Sequence, residues 1–139
     1  MARTVNEVMT VAPATVQAGD PARAAARVIR DHDVGAVLVL DDGDLHGIVT
    51  DRDLAVRLVA DGRGAESTTV GEIASRDPTA VESDASIDEA VRLMRERALR
   101  RLPVVEHGTP VGIVSLGDLA VERDSDSALA DISASDPNR

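Results

Sequence analysis

Shifted along itself by 65 residues, the sequence meets itself again: Val5–Val56 falls on Val70–Val121 without a gap, and 16 of the 52 aligned positions are identical. Such agreement marks an internal duplication, and it constrains the fold more than any other feature. Two copies of this length imply two similar halves related by a pseudo-twofold axis, because solenoids and arrays use shorter periods and more copies. The chain of 139 residues therefore has room for the pair and little else.

Each copy carries the same order of local signals. Thr4-x-x-Glu7 and Thr69-x-x-Glu72 are capping-box patterns that predict a brief opening helix. Short extended segments follow at Pro13 to Val16 and Pro78 to Val81. A longer amphipathic helix then starts at Asp20-Pro21 in the first copy and at the capping box Ser86-x-x-Glu89 in the second. Its apolar face holds Ala25, Val28 and Ile29, repeated as Ala90, Leu93 and Met94, with Arg23, Arg27 and Arg30 toward another face.

The apolar runs Val34 to Leu40 and Leu102 to Val105 lead through Asp41-Asp42-Gly43-Asp44 and Glu106-His107-Gly108-Thr109 to Gly47-Ile48-Val49-Thr50 and Gly112-Ile113-Val114-Ser115. These read as hairpins of buried strands, with the Asp-Gly pair as a turn rather than a calcium loop. A last helix starts near Thr50 and near Ser115, with Gly62 as a stop in the first copy. The expected fold is α+β, two β-α-β-β-α repeats over residues 4–61 and 69–123, a linker at 62–68, and a mobile acidic tail at 124–139.

Composition removes several function classes. There is no Cys, so disulfides, thiolate metal sites and a Cys nucleophile are excluded. All fifteen basic residues are Arg, which excludes a Schiff-base or phosphate-loop lysine. A net charge of −10 repels nucleic acid. No apolar run is long enough for a membrane span or a signal core, which points to a cytoplasmic protein. His32, His46 and His107 occupy non-equivalent positions without metal-ligand spacing, and are expected at turns or on the surface. No grouping of nucleophile, base and acid stands out, so an enzyme is not expected.

Gly47-Ile48-Val49-Thr50-Asp51-Arg52-Asp53-Leu54, its echo Gly112-Ile113-Val114-Ser115-Leu116-Gly117-Asp118-Leu119, and Arg100-Arg101-Leu102-Pro103-Val104-Val105 together resemble the pattern of the cystathionine-β-synthase-type (CBS) domain family. The resemblance covers residues 4 to 123 and implies a tandem CBS pair, a regulatory module whose relatives bind AMP, ATP, S-adenosylmethionine or NAD-like molecules between the repeats, or bind nothing. It also implies a homodimer, an expectation that the apolar faces of flanking helices support.

Two readings stay open for Thr50-x-x-Asp53 and Ser115-x-x-Asp118. As capping boxes they need no ligand. As ligand residues, the carboxylates of Asp53 and Asp118 suit the paired hydroxyls of a ribose, and Thr50 and Ser115 lie where a helix start receives phosphate. By the resemblance, Ala80, Leu99, Arg100 and Arg101 would join Thr50 and Asp53, while Thr15, Val34, Gly35 and Ala36 would join Ser115 and Asp118. The first of these groups has two guanidiniums for phosphate, and the second has none. The net negative charge favours AMP or ADP over ATP, with no obligatory cofactor. A ligand sensor read by an unidentified protein partner, or a ligand-free interaction or stress module, are the two functions that follow.

Overall fold

A computed structural model describes residues 4–11, 14–76 and 78–123, with backbone alone at 121–123. The tail from 124 onward lies outside the described residues. The elements fall into two compact units, Pro13–Pro78 and Met1–Ala12 with Thr79–Arg139.

The unit of the first copy holds β2 (Thr15–Gln17), α1 (Ala22–His32), β3 (Ala36–Asp41), β4 (Asp44–Thr50), α2 (Asp51–Asp53) continued by a π-helical stretch Leu54–Ala60, α3 (Val70–Ile73) and β5 (Ser75–Arg76). Its sheet order is β2-β3-β4-β5, parallel between β2 and β3 and antiparallel elsewhere. The unit of the second copy holds a 3-10 turn Val5–Glu7, β1 (Thr10–Val11), β6 (Val81–Glu82), α4 (Ile87–Arg97), β7 (Arg101–Glu106), β8 (Thr109–Ser115) and α5 (Leu116–Arg123). Its sheet runs β1-β8-β7-β6 with the matching pattern of directions.

The duplication in sequence thus becomes an exchange in space. The opening segment of each copy, a short helix and a two-residue strand, completes the sheet of the other copy: β1 pairs with β8 and β5 pairs with β4. Val5 enters the core of the second unit with Val81, Ile87, Ala90, Met94, Leu102, Val104, Val114 and Leu119. Val70, Ile73 and Ala74 enter the core of the first with Val16, Ala22, Ala25, Val37, Val39, Val49 and Leu58. Both cores are aliphatic, since the chain has no Phe, Tyr or Trp.

The repeated glycine of Gly-Ile-Val is the residue that lets the exchanged strand approach. Gly47 is opposite Arg76, and a Cβ there would lie 2.3 Å from the Ser75 carbonyl oxygen. Gly112 is opposite Val11, and a Cβ there would meet Met9 Sδ at 2.5 Å and the Thr10 carbonyl oxygen at 2.7 Å. The two hairpin turns also repeat: Asp42-Gly43 and His107-Gly108 all have positive φ, the conformation that matches strand twist in a two-residue hairpin.

Several local expectations need correction. Thr4 does not cap its short helix; its hydroxyl donates to Asn6 Oδ1 at 2.7 Å, and the helix is a 3-10 turn. At the start of α1 the Asp20 carboxylate accepts from the Gln17 amide instead of capping, and Pro21 precedes the first helical residue. The Ser86 hydroxyl accepts from the Glu89 amide at 3.0 Å as expected, but the Glu89 carboxylate turns to Arg92. Gly62 (φ +71°) does follow the helix end, where the Arg63 amide donates back to the Leu58 carbonyl. His32 and His107 are exposed, whereas His46 lies within β4 with its Nε2 buried and unpartnered.

Candidate functional site

Both units build the same local constellation at the end of their hairpin. In the first unit Ala36, the first residue of β3, lies opposite Thr50, the last of β4. The Asp51 amide donates to the Gly35 carbonyl at 3.0 Å, which stitches the helix start to the beginning of β3. In the second unit Arg101 lies opposite Ser115, and the Leu116 amide donates to the Arg100 carbonyl at 2.8 Å. Within single units, therefore, Val34, Gly35 and Ala36 sit beside Thr50 and Asp53, and Leu99, Arg100 and Arg101 beside Ser115 and Asp118. Thr15 and Ala80 hold equivalent places, Thr15 on β2 and Ala80 just before β6.

The helix starts are complete capping boxes. The Thr50 amide donates to Asp53 Oδ2 at 2.9 Å, and the Asp53 amide to Thr50 Oγ1 at 3.1 Å. The Ser115 amide donates to Asp118 Oδ2 at 2.9 Å, and the Asp118 amide to Ser115 Oγ at 3.0 Å. Each carboxylate is half-buried and each cap uses one oxygen, Oδ2. Carboxylate oxygens carry about two lone-pair sites each, so Oδ1 and part of Oδ2 are left as acceptors.

The two starts differ in the charge around them. Arg57 Nε stands 3.8 Å from Asp53 Oδ1, one turn along the same helix. The equivalent residue in the second copy is Glu122, an acid in place of the base. Sequence reading passed over Arg57; the signal was available in its spacing from Asp53 and in the sign change against Glu122. Arg100 is exposed and Arg101 half-buried, and neither is paired with a carboxylate among the described residues. Gly35 and Ala36 bring no cation to the corresponding place.

Asp31, on the exposed end of α1, is held below the ordinary carboxylate range by its hydrogen bond from Arg30. Arg92 is raised by hydrogen bonds to Glu89 and Glu96 on the exposed face of α4. Among the described residues no cluster of three or more His, Asp or Glu is placed to hold a metal ion, and no helix is long and apolar enough to cross a membrane.

Comparison with known proteins agrees with this construction. The CBS domain family model matches residues 5–60 and 70–124. The CBS domain-containing protein YhcV of Bacillus subtilis is 41% identical, covering 93% of this chain and 94% of its own length. Hypoxic response protein 1 of Mycobacterium tuberculosis is 36% identical over 84% of this chain and 82% of its own. A crystal structure of Hypoxic Response Protein I with two coordinated zinc ions aligns at a TM-score of 0.76, covering 84% of this chain and 96% of that one. The crystal structure of CBSX2 in complex with AMP aligns at 0.73 with 27% identity, covering 87% of this chain and 96% of that one. The match to both copies, together with relatives similar over nearly their whole length, shows that the chain belongs to the CBS-domain family, as a tandem pair of CBS domains.

Proposed function

We propose that this CBS pair is a regulatory module that binds an adenosine nucleotide, AMP or ADP ahead of ATP, and passes its occupancy to a protein partner. One observation carries the reading: each capping box uses Asp53 or Asp118 through Oδ2 and leaves Oδ1 to accept from a ligand hydroxyl. Capping and ribose binding are then not alternatives but two uses of one carboxylate. The solved complex of the relative CBSX2 with AMP supports the choice of ligand.

The preferred grouping is the one that the family resemblance implies, in which Thr50 and Asp53 act with Ala80, Leu99, Arg100 and Arg101 of the other copy. Two guanidiniums without carboxylate partners among the described residues, in a chain of net charge −10, are well suited to a phosphate, which each can bind through a fork of charged hydrogen bonds. The other grouping, Ser115 and Asp118 with Thr15, Val34, Gly35 and Ala36, counts no cation among its own residues and is the weaker one in this reading, although Ser115 lies opposite Arg101 within its unit. Adenine has no aromatic ring to stack on and lies between aliphatic side chains.

The module works as a homodimer in this reading. Val56 and Val59 are 43% and 73% exposed on the π-helical stretch, an apolar face that a second copy would cover. Light scattering at micromolar concentration is expected to give a dimer with or without nucleotide, and a monomer in both conditions refutes it. A ligand-free interaction module is the second reading, favoured by the completeness of the caps, which folding alone explains. Calorimetric titration with AMP, ADP, ATP, NAD and S-adenosylmethionine separates the two. Saturable heat with AMP or ADP is expected, and no heat with any of the five selects the ligand-free module.

A further inference from the structure

Arg57 is the one cation within ion-pairing distance of either candidate Asp among the described residues, and it makes two further contacts. Its Nη1 donates to the Ile73 carbonyl at 3.3 Å and to the Ala74 carbonyl at 3.5 Å. These carbonyls end α3, the opening helix of the second copy, where backbone oxygens lack intrahelical donors and a cation is favoured. Residues Ser75 and Arg76 then pair with β4, and the chain leaves the unit toward Ala80. Asp53 is also held on its other side, since Oδ2 accepts from the Thr50 amide. One guanidinium thus spans the gap between the free oxygen of Asp53 and the end of an exchanged helix. All three contacts are long, so none of them fixes Arg57 by itself.

The second copy has no counterpart among the described residues. Glu122 replaces Arg57, and the helix after Ser115 is α-helical, whereas the helix after Thr50 widens to π winding from Leu54 to Ala60.

We propose that Arg57 is a positioning residue that ties the Asp53 carboxylate to the α3–β5 segment, so that a ligand hydroxyl taking Asp53 Oδ1 loosens the hold on that segment. The ion pair one helical turn away orients the guanidinium and reduces the conformational cost of its reach to Ile73 and Ala74. A ligand that occupies Oδ1 removes this orientation. Among the described residues only the first copy carries the link, so the two sites of the pair report differently.

Amide hydrogen exchange tests the link without any ligand. The reporting amides are Ala74, which closes the turn of α3 onto Val70, together with Ser75 and Arg76. Arg57→Gln is expected to speed their exchange about threefold to tenfold, with partial restoration in Arg57→Lys. Asp53→Asn keeps an acceptor for the helix cap and is expected to speed the same amides, while the double variant goes no faster than Arg57→Gln alone. Amides of Leu102, Val104 and Val114 in the other unit serve as the reference for global stability. Wild-type exchange in Arg57→Gln, or in Asp53→Asn while Arg57→Gln is fast, overturns the link.

A second arm rests on the nucleotide reading of Asp53. Saturating AMP is expected to speed the same amides in the wild type and leave them unchanged in Arg57→Gln. AMP that binds by calorimetry without moving these amides overturns the ligand response. AMP that does not bind refutes the nucleotide reading and the ligand response together, while the Asp53→Asn comparison still decides the positioning role.

Discussion

Replacing Gly47 by Ala puts one methyl group between β4 and the strand exchanged onto it. The new Cβ would lie 2.3 Å from the Ser75 carbonyl oxygen, 3.2 Å from its carbon and 3.3 Å from Ala74 Cβ, and real Cβ contacts stay beyond 3.0 Å. The obstacle is backbone, so β5 must retreat by roughly 0.7 Å, enough to disrupt its pairing with β4 at Gly47 and Ile48. Overpacking of this kind costs about 1–3 kcal/mol and a lost hydrogen bond about 1, offset by about 0.5 from the lower entropy of the unfolded chain. The net loss of about 2–3 kcal/mol corresponds to a fall in melting temperature of roughly 6–15 °C for a chain of this size.

Gly112→Ala is expected to cost less, about 1–2 kcal/mol, because its first neighbour is the flexible Met9 sulfur. Gly19→Ala, with nothing within 4 Å, is expected to match or slightly exceed wild type. Thermal unfolding followed by far-ultraviolet circular dichroism is the assay, since a chain without Phe, Tyr or Trp gives no near-ultraviolet or fluorescence signal. A Gly47→Ala protein that melts with wild type would show that β5 does not lie across Gly47, and the exchanged arrangement would fall.

Other substitutions test individual features by the same melts. Ala98 closes α4 in the left-handed region (φ 54°), so Ala98→Gly is expected to stabilise by about 0.5–1 kcal/mol, and a loss would contradict that backbone. His46→Val copies Val111 of the second copy and removes a buried nitrogen without a partner, so a gain of about 1 kcal/mol is expected; a clear loss would mean that Nε2 is bonded. Ser86→Ala is expected to cost about 1 kcal/mol, whereas Thr4→Ala is near neutral because its hydroxyl serves Asn6 and not a helix amide. Equal costs for the two would remove that distinction.

The repeat, the strand hairpins and the helix starts at Thr50, Ser86 and Ser115 were legible because each is written in a short stretch of chain. Caps bond amides three residues away, and Asp42-Gly43 and His107-Gly108 need only their own dihedrals. The exchange of opening segments was not legible. Whether Val5 joins Val81 or Val16 depends on which sheet edge is open beside a glycine, a relation across scores of residues that periodicity does not encode. Thr4 failed for a local reason, since Asn6 competes for its hydroxyl. His46 was expected at a turn or on the surface because it has no histidine counterpart in the second copy and no metal-ligand spacing; its Nε2 is covered near Gly71 by the exchanged α3. Arg57 escaped notice because its partners at residues 73 and 74 belong to the next copy in sequence.

The most direct test of a ligand role for the capping carboxylates is the affinity for AMP of Asp53→Asn and Asp118→Asn beside wild type, measured by calorimetry on proteins whose melting temperatures are known. Asparagine retains an oxygen for the amide of Thr50 or Ser115, so the cap survives while the charge and one acceptor are lost. Losing charged hydrogen bonds to a ribose costs about 1.5–3 kcal/mol, so Asp53→Asn is expected to weaken AMP about tenfold to a hundredfold. Asp118→Asn, in the grouping proposed without Arg100 and Arg101, is expected to change it less. Wild-type affinity in both variants, with equal and small losses of melting temperature, would mean that the two carboxylates cap helices and bind nothing.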